Sequence, residues 1–144
     1  MTVIDLGNNV VVNQQFNPAS TTATANATAV DVDGYAYAII CIQLGDLHAT
    51  ETVTFSVQSA ATNGGTYTTC DKLGSDAGSA DASTAALSNA ADNTQLMISV
   101  NLNHTQSFLR VRAVHSGSNA QIYGVNMVLM PTYTGDADTP SFSI

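Results

Sequence analysis

The sequence predicts an all-β protein, an antiparallel β-sandwich of jelly-roll or immunoglobulin-like kind with about eight strands. Three observations carry that expectation. Apolar residues recur with a period of two in segment after segment, as in strands that bury one face. Gly, Asn and Asp cluster between those segments at roughly the 8–12-residue spacing of sandwiches. No stretch follows a strand with an amphipathic helix, so a parallel α/β sheet is not expected.

Taken in order, the three valines at 10–12 follow the turn signal Gly7-Asn8-Asn9 and read as a short strand. Pro18 biases Asn17 away from helix, so residues 13–20 read as an extended connection and residues 1–20 as an N-terminal arm. Over 21–32, Ala23, Ala25, Ala27 and Ala29 alternate with Thr22, Thr24, Asn26 and Thr28, giving a strand of clear period but small side chains. Asp33-Gly34 turns the chain. Residues 35–44 are apolar on both faces, with Tyr35, Tyr37, Ile39 and Cys41 on one and Ala36, Ala38, Ile40, Ile42 and Leu44 on the other. That is the pattern of a central strand covered on both sides. Residues 51–58 alternate Val53, Phe55 and Val57 with Thr52, Thr54 and Ser56, a strand with one wet face.

Asn63-Gly64-Gly65 reads as a hairpin turn that uses positive φ, with a return strand around Tyr67. Residues 74–93 are low in complexity, and Leu87 is their one large apolar side chain. They read as a long surface loop with room for one short helical or strand segment. Alternation resumes at 95–102, 108–114 and 121–130, and Pro131 ends it. The 144 residues therefore form one domain, with a sandwich at 21–131 between an N-terminal arm (1–20) and a C-terminal arm (132–144).

Composition narrows the function. Charged residues are only 10% of the chain, and three Lys and Arg stand against eleven Asp and Glu, a net charge of −8. Nucleic-acid binding draws its affinity from cations that neutralise phosphates, and Lys72, Arg110 and Arg112 cannot supply that patch. The same balance argues against an anionic membrane surface. A polar but weakly charged surface suits a protein that lives packed against partners. Residues 1–5 lack the basic start and apolar core of a signal peptide, so the expectation is synthesis in the cytoplasm with Cys41 and Cys70 as reduced thiols.

No catalytic, cofactor-binding or metal-ligating residues are expected. His48, His104 and His115 sit at or near turns, outside any motif that would orient a base towards a nucleophile. Glu51 is the only Glu, and the Asp residues cluster in turns, which leaves no carboxylate pair for glycoside hydrolysis. Asp31-Val32-Asp33-Gly34 and the pair Asp136 and Asp138 resemble fragments of a calcium loop, but no closing Glu follows. The rival to a structural role is a carbohydrate-binding or adhesive sandwich module. Such platforms stack sugars on Trp or Tyr, and this chain has no Trp and five scattered tyrosines.

Two hairpins carry a resemblance. Thr52-Val53-Thr54-Phe55-Ser56-Val57-Gln58-Ser59 with Asn63-Gly64-Gly65-Thr66-Tyr67 is similar to a hairpin common in small virion proteins of tailed bacteriophages. Phe108-Leu109-Arg110-Val111-Arg112-Ala113-Val114 and the strand from Gln121 to Pro131 resemble their closing hairpin. The resemblance implies a head decoration, or cement, protein on the capsid surface of the virion, bridging subunits of the major capsid protein and associating with copies of itself, often as trimers. A head- or tail-fibre module would share these hairpins, and a capsid module can also adhere weakly to glycans. A cement protein needs contact area rather than catalysis, and an arm laid along a neighbour adds it. Val3, Ile4, Leu6 and Phe16 at one end, and Phe142 and Ile144 at the other, are the expected assembly anchors.

Overall fold

The computed structural model describes residues 10–71 and 81–131. Nine strands run in chain order: β1 (Val11–Thr21), β2 (Ala25–Asn26), β3 (Val30–Asp31), β4 (Tyr35–Leu44), β5 (Val53–Ala60), β6 (Thr68–Thr69), β7 (Gln95–Asn101), β8 (Phe108–His115) and β9 (Gln121–Pro131). They form two antiparallel sheets, one of order β1-β9-β4-β7 and one of order β2-β8-β5-β6, with β3 also pairing β8. This is the all-β sandwich that the period of two predicts.

The inward faces meet as alternation requires. Ala38, Ile40, Ile42 and Leu44 of β4, and Tyr123, Val125, Met127 and Leu129 of β9, are buried. They belong to one cluster with Val53, Phe55 and Val57 of β5 and Leu109, Val111 and Ala113 of β8. The Tyr123 ring stands edge-on to Phe55 at 4.9 Å and to Phe16 at 5.7 Å, so one aromatic locks both sheets together. Full burial of such a side chain contributes about 1.5–3 kcal/mol.

Of the N-terminal arm expected at 1–20, residues 11–20 lie in β1, and residues 1–9 lie outside the described residues. Residues 11–21 pair with β9 along its length, from Val11 opposite Leu129 to Thr21 opposite Gln121. Two register shifts, between Gln14 and Phe16 and between Phe16 and Ala19, break the alternation that would have marked this strand. Pro18, which cannot donate to a ladder, fits because β1 is an edge strand. It lies against Gly124, where a Cβ would stand 2.8 Å from Pro18 Cγ.

The strand expected at 21–32 is split. Asn26 pairs with Arg112 and Val30 with Leu109, so β2–β3 carries one more residue than β8 between these points. Val111 still accepts from the Ala27 N–H at 2.8 Å, while its own N–H donates to Gln15 Oε1 at 3.0 Å. Gln15 reaches over from β1, so a buried amide closes the side of the sandwich where the two edge strands meet.

Three further expectations change. The β-bulge between Tyr35 and Tyr37 turns Tyr35 towards the core while Tyr37 points out, so the two do not share a face. The turn at 62–65 closes with the Gly65 N–H donating to the Thr62 carbonyl, without positive φ; Gly34 (φ 88) is the described glycine that uses it. The return strand is only β6. Beyond it Ala82, Thr84 and Leu87 take up the edge of β5: the Val57 N–H donates to the Ala82 carbonyl, and Val53 and Leu87 exchange two hydrogen bonds. Leu87 packs against the core and Asn89–Ala91 form one 3-10 turn.

Candidate interaction surface: the uncharged sheet

No strand of the β1-β9-β4-β7 sheet contains an Asp, Glu, Lys or Arg. The described charged residues all lie elsewhere: Asp31 in β3, Arg110 and Arg112 in β8, and Asp33, Asp46, Glu51, Asp71, Asp81 and Asp92 in connections. In a chain of net charge −8 this sheet is an electrostatic blank.

Its outward face is laid out by the register. One row runs Val12, Val128, Ile39, Ser99 across the four strands, and the next Gln14, Asn126, Cys41, Met97. A third row holds Met130, Tyr37 and Asn101. Met97 is 75% exposed, Val12 65% and Tyr37 40%. A shallow depression of about 260 Å³ lies beside Cys41, Gln43, Gln95, Met97 and Asn126. The β4 sequence predicts a strand covered on both sides, and among the described residues only the side of Ala38, Ile40 and Ile42 is covered. The other side mixes apolar side chains (Val12, Val128, Ile39, Met97) with uncharged polar ones (Gln14, Asn126, Ser99), and its most exposed apolar residues stand on the two edge strands.

The expected anchors divide. Phe16 is partly buried and packs on Tyr123 within its own chain. Val3, Ile4, Leu6, Phe142 and Ile144 lie outside the described residues, as do Tyr133, Lys72 and the pair Asp136 and Asp138. The chain enters the sheet at Val11 and leaves it at Pro131, and Val11 lies opposite Leu129. The described chain therefore begins and ends at one end of the uncharged sheet.

The polar residues singled out in the sequence serve the fold. Asp31 Oδ1 accepts from the Asp33 N–H at 3.0 Å, a turn contact beside Gly34. Among the described residues no three His, Cys, Asp or Glu come together as a metal site. Glu51 holds the β8–β9 turn, accepting from Asn119 N–H and Nδ2 at 2.8 and 2.7 Å. His48 Nδ1 faces the Thr50 hydroxyl at 3.1 Å. His115, read from sequence as a solvated loop residue, instead packs at the end of the sandwich. Its Nε2 is 3.1 Å from the Tyr123 hydroxyl and 3.5 Å from Thr21 Oγ1. Burial lowers its pKa, against a smaller upward pull from Glu51.

Of the four described tyrosines, Tyr37 is exposed on the uncharged face. Tyr123 is buried and Tyr35 turns inward. The Arg110 guanidinium lies 3.8 Å over the Tyr67 ring while its Nε and Nη2 donate to Gln58 Oε1, so that ring face is occupied. Cys41 and Cys70 are both free thiols, Cys41 half-buried on the uncharged face and Cys70 in the core. Burial raises the Cys70 pKa, and Asp71 adds to this, while a hydrogen bond with Ser59 lowers it.

Sequence reasoning found the two apolar faces of β4 but not the blank sheet. The signal was the placement of charge, absent from every segment that became β1, β4, β7 or β9.

No protein-family model and no curated protein sequence matches the chain. Solved structures do. The SPBc2 prophage-derived protein YomS superposes with a TM-score of 0.53 at 12% identity, over 84% of this chain and 92% of YomS. The PBSX exported protein XepA superposes with a TM-score of 0.58 at 15% identity, over 99% of this chain and 44% of XepA, so the chain spans less than half of that protein. At these identities the likeness shows the fold alone: this chain shares its β-sandwich with both.

Proposed function

We propose that this chain is a non-enzymatic structural protein of a bacteriophage virion, a capsid decoration or cement protein that stabilises the head by bridging neighbouring subunits of the major capsid protein. The observation that carries this reading is the uncharged sheet, whose outward face is free of Asp, Glu, Lys and Arg and at one end of which the described chain begins and ends. A cement protein opposes expansion of a shell by adding contact across joints, and that task needs a neutral, apolar, geometrically regular surface. The likeness in fold to a prophage-derived protein supports the phage context.

In this reading the sandwich is a rigid block, and residues 1–9 and 132–144 reach from it to capsid neighbours. Val3, Ile4 and Leu6 on one side and Phe142 and Ile144 on the other supply the apolar anchors. Deleting residues 1–8 is expected to reduce incorporation into particles while leaving the melting temperature of the isolated chain unchanged. Undiminished incorporation would remove the N-terminal anchors from the account.

The test of the whole reading is particle-based. Heads produced with and without the gene for this chain are heated, and release of packaged DNA is followed by dye fluorescence. Heads carrying the protein should rupture at a higher temperature, and identical rupture profiles would contradict a cementing role.

A further inference from the structure

We infer that the outward face of the uncharged sheet is a self-association surface, on which a second copy of this chain packs face to face about a two-fold axis. The inference rests on the proposed structural role: it gives the uncharged face to a second copy and leaves the capsid contacts to residues 1–9 and 132–144. Two chains of net charge −8 repel each other, so a stable contact between copies must keep their carboxylates apart. This face has none to bring together. The described acidic residues all stand in connections or in the other sheet, outside any sheet-to-sheet contact made through β1, β9, β4 and β7.

The chemistry of the face matches itself better than it matches an ionic partner. A cationic partner would find no carboxylate on it, and an anionic one no Lys or Arg. Valine, isoleucine and methionine in the middle rows bury well against their own kind, and Gln14, Asn126 and Asn101 are donor and acceptor at once, so amides of one copy satisfy amides of the other. A two-fold contact is isologous and uses each such group twice. Met97 on edge strand β7 and Val12 on edge strand β1 stand proud at opposite sides of the face, with half-buried Ile39 and Cys41 between them. Two such faces pack in the aligned manner of sandwich sheets.

Area sets the strength. Four strands spaced ~4.8 Å apart with about seven residues each at ~3.3 Å rise give a face of roughly 450 Å². Two such faces bury about 900 Å² before side-chain relief is counted, below the roughly 1,200 Å² at which specific, stable interfaces begin and in the range of weak, transient contacts. The dimer is therefore expected to dissociate in the micromolar range.

The full chain is examined by sedimentation velocity across the micromolar range, beside Val12→Asp, Met97→Asp and the control Val114→Asp. Val114 is 37% exposed, on a strand of the other sheet. Wild type and V114D should pass from one chain to two with rising concentration, and V12D and M97D should weaken association at least about tenfold, since each Asp enters the contact twice. Far-UV circular dichroism checks that the variants fold. Should either lose its fold, wild-type Cys41 gives an independent readout: its labelling by a maleimide should slow as concentration rises, with Cys70 unreactive in the core throughout. A wild-type chain that stays monomeric, a limiting mass of three chains, unchanged association of V12D and M97D, or Cys41 labelling independent of concentration would each overturn the inference. A monomer that still binds heads defeats only this inference, whereas a dimer that adds nothing to heads defeats only the cementing role.

Discussion

Gln15 is the residue whose role is least visible in the sequence and most specific in the structure. Its Oε1 takes the Val111 N–H at 3.0 Å, and its Nε2 donates to Asn13 Oδ1 at 2.8 Å. Replacing it with Ala leaves a buried backbone donor unpaired, a loss of about 1–3 kcal/mol. Urea unfolding should show Gln15→Ala destabilised by that amount, while Gln14→Ala, exposed one position earlier, stays within about 0.5 kcal/mol of wild type. An equal effect at both positions would contradict the bridging role. His115 supplies a second residue-level prediction. Burial lowers its pKa from the ordinary 6.5, so the fold prefers the neutral ring. Between 6.5 and the lower folded value the unfolded chain binds more protons, so this contribution is full above 6.5 and is lost as pH falls through the folded pKa. The melting temperature of wild type should drop more between pH 7 and pH 5 than that of His115→Gln, and parallel curves would contradict this. The sequence placed His115 near a turn, and it is the last residue of β8 before that turn. That placement could not show that the ring folds back onto Tyr123, because that contact depends on how the two sheets close.

At the scale of elements, periodicity was a sound guide wherever a strand kept one register. β4, β5, β7, β8 and β9 were all legible from alternation, since their inward residues recur at every second position. β1 was not, because two register shifts interrupt its alternation and Pro18 lies inside it. Its segment therefore looked like an arm. The pairing of β1 with β9 has a tight point where Pro18 crosses Gly124. Gly124→Ala should destabilise by about 1–3 kcal/mol through overpacking. The double variant with Pro18→Ala should recover much of that loss, and strict additivity in the cycle would show that the two sites do not touch. The segment 81–87 was legible only as a loop anchored by Leu87. Its hydrogen bonds to β5 are made by small residues with no strand pattern of their own, so only β5, by needing an edge partner, gives them a place.

The whole molecule is defined by where its charge is not. The sequence shows sparse charge and a central strand that is apolar on both sides, and both are properties of one surface once β1, β9, β4 and β7 are placed side by side. The candidate site was legible in that limited sense: β4 reads as a strand covered on both sides, and among the described residues its outward face is left uncovered. Under the proposed function that surface has a physical use, since a contact without charge is insensitive to salt. The most direct measurement is the ratio of this chain to the major capsid protein in gradient-purified heads, before and after washing in about 1 M salt, where screening acts over roughly 3 Å. The account predicts a fixed ratio that survives the wash. Absence from the heads, or complete release by salt, would contradict it.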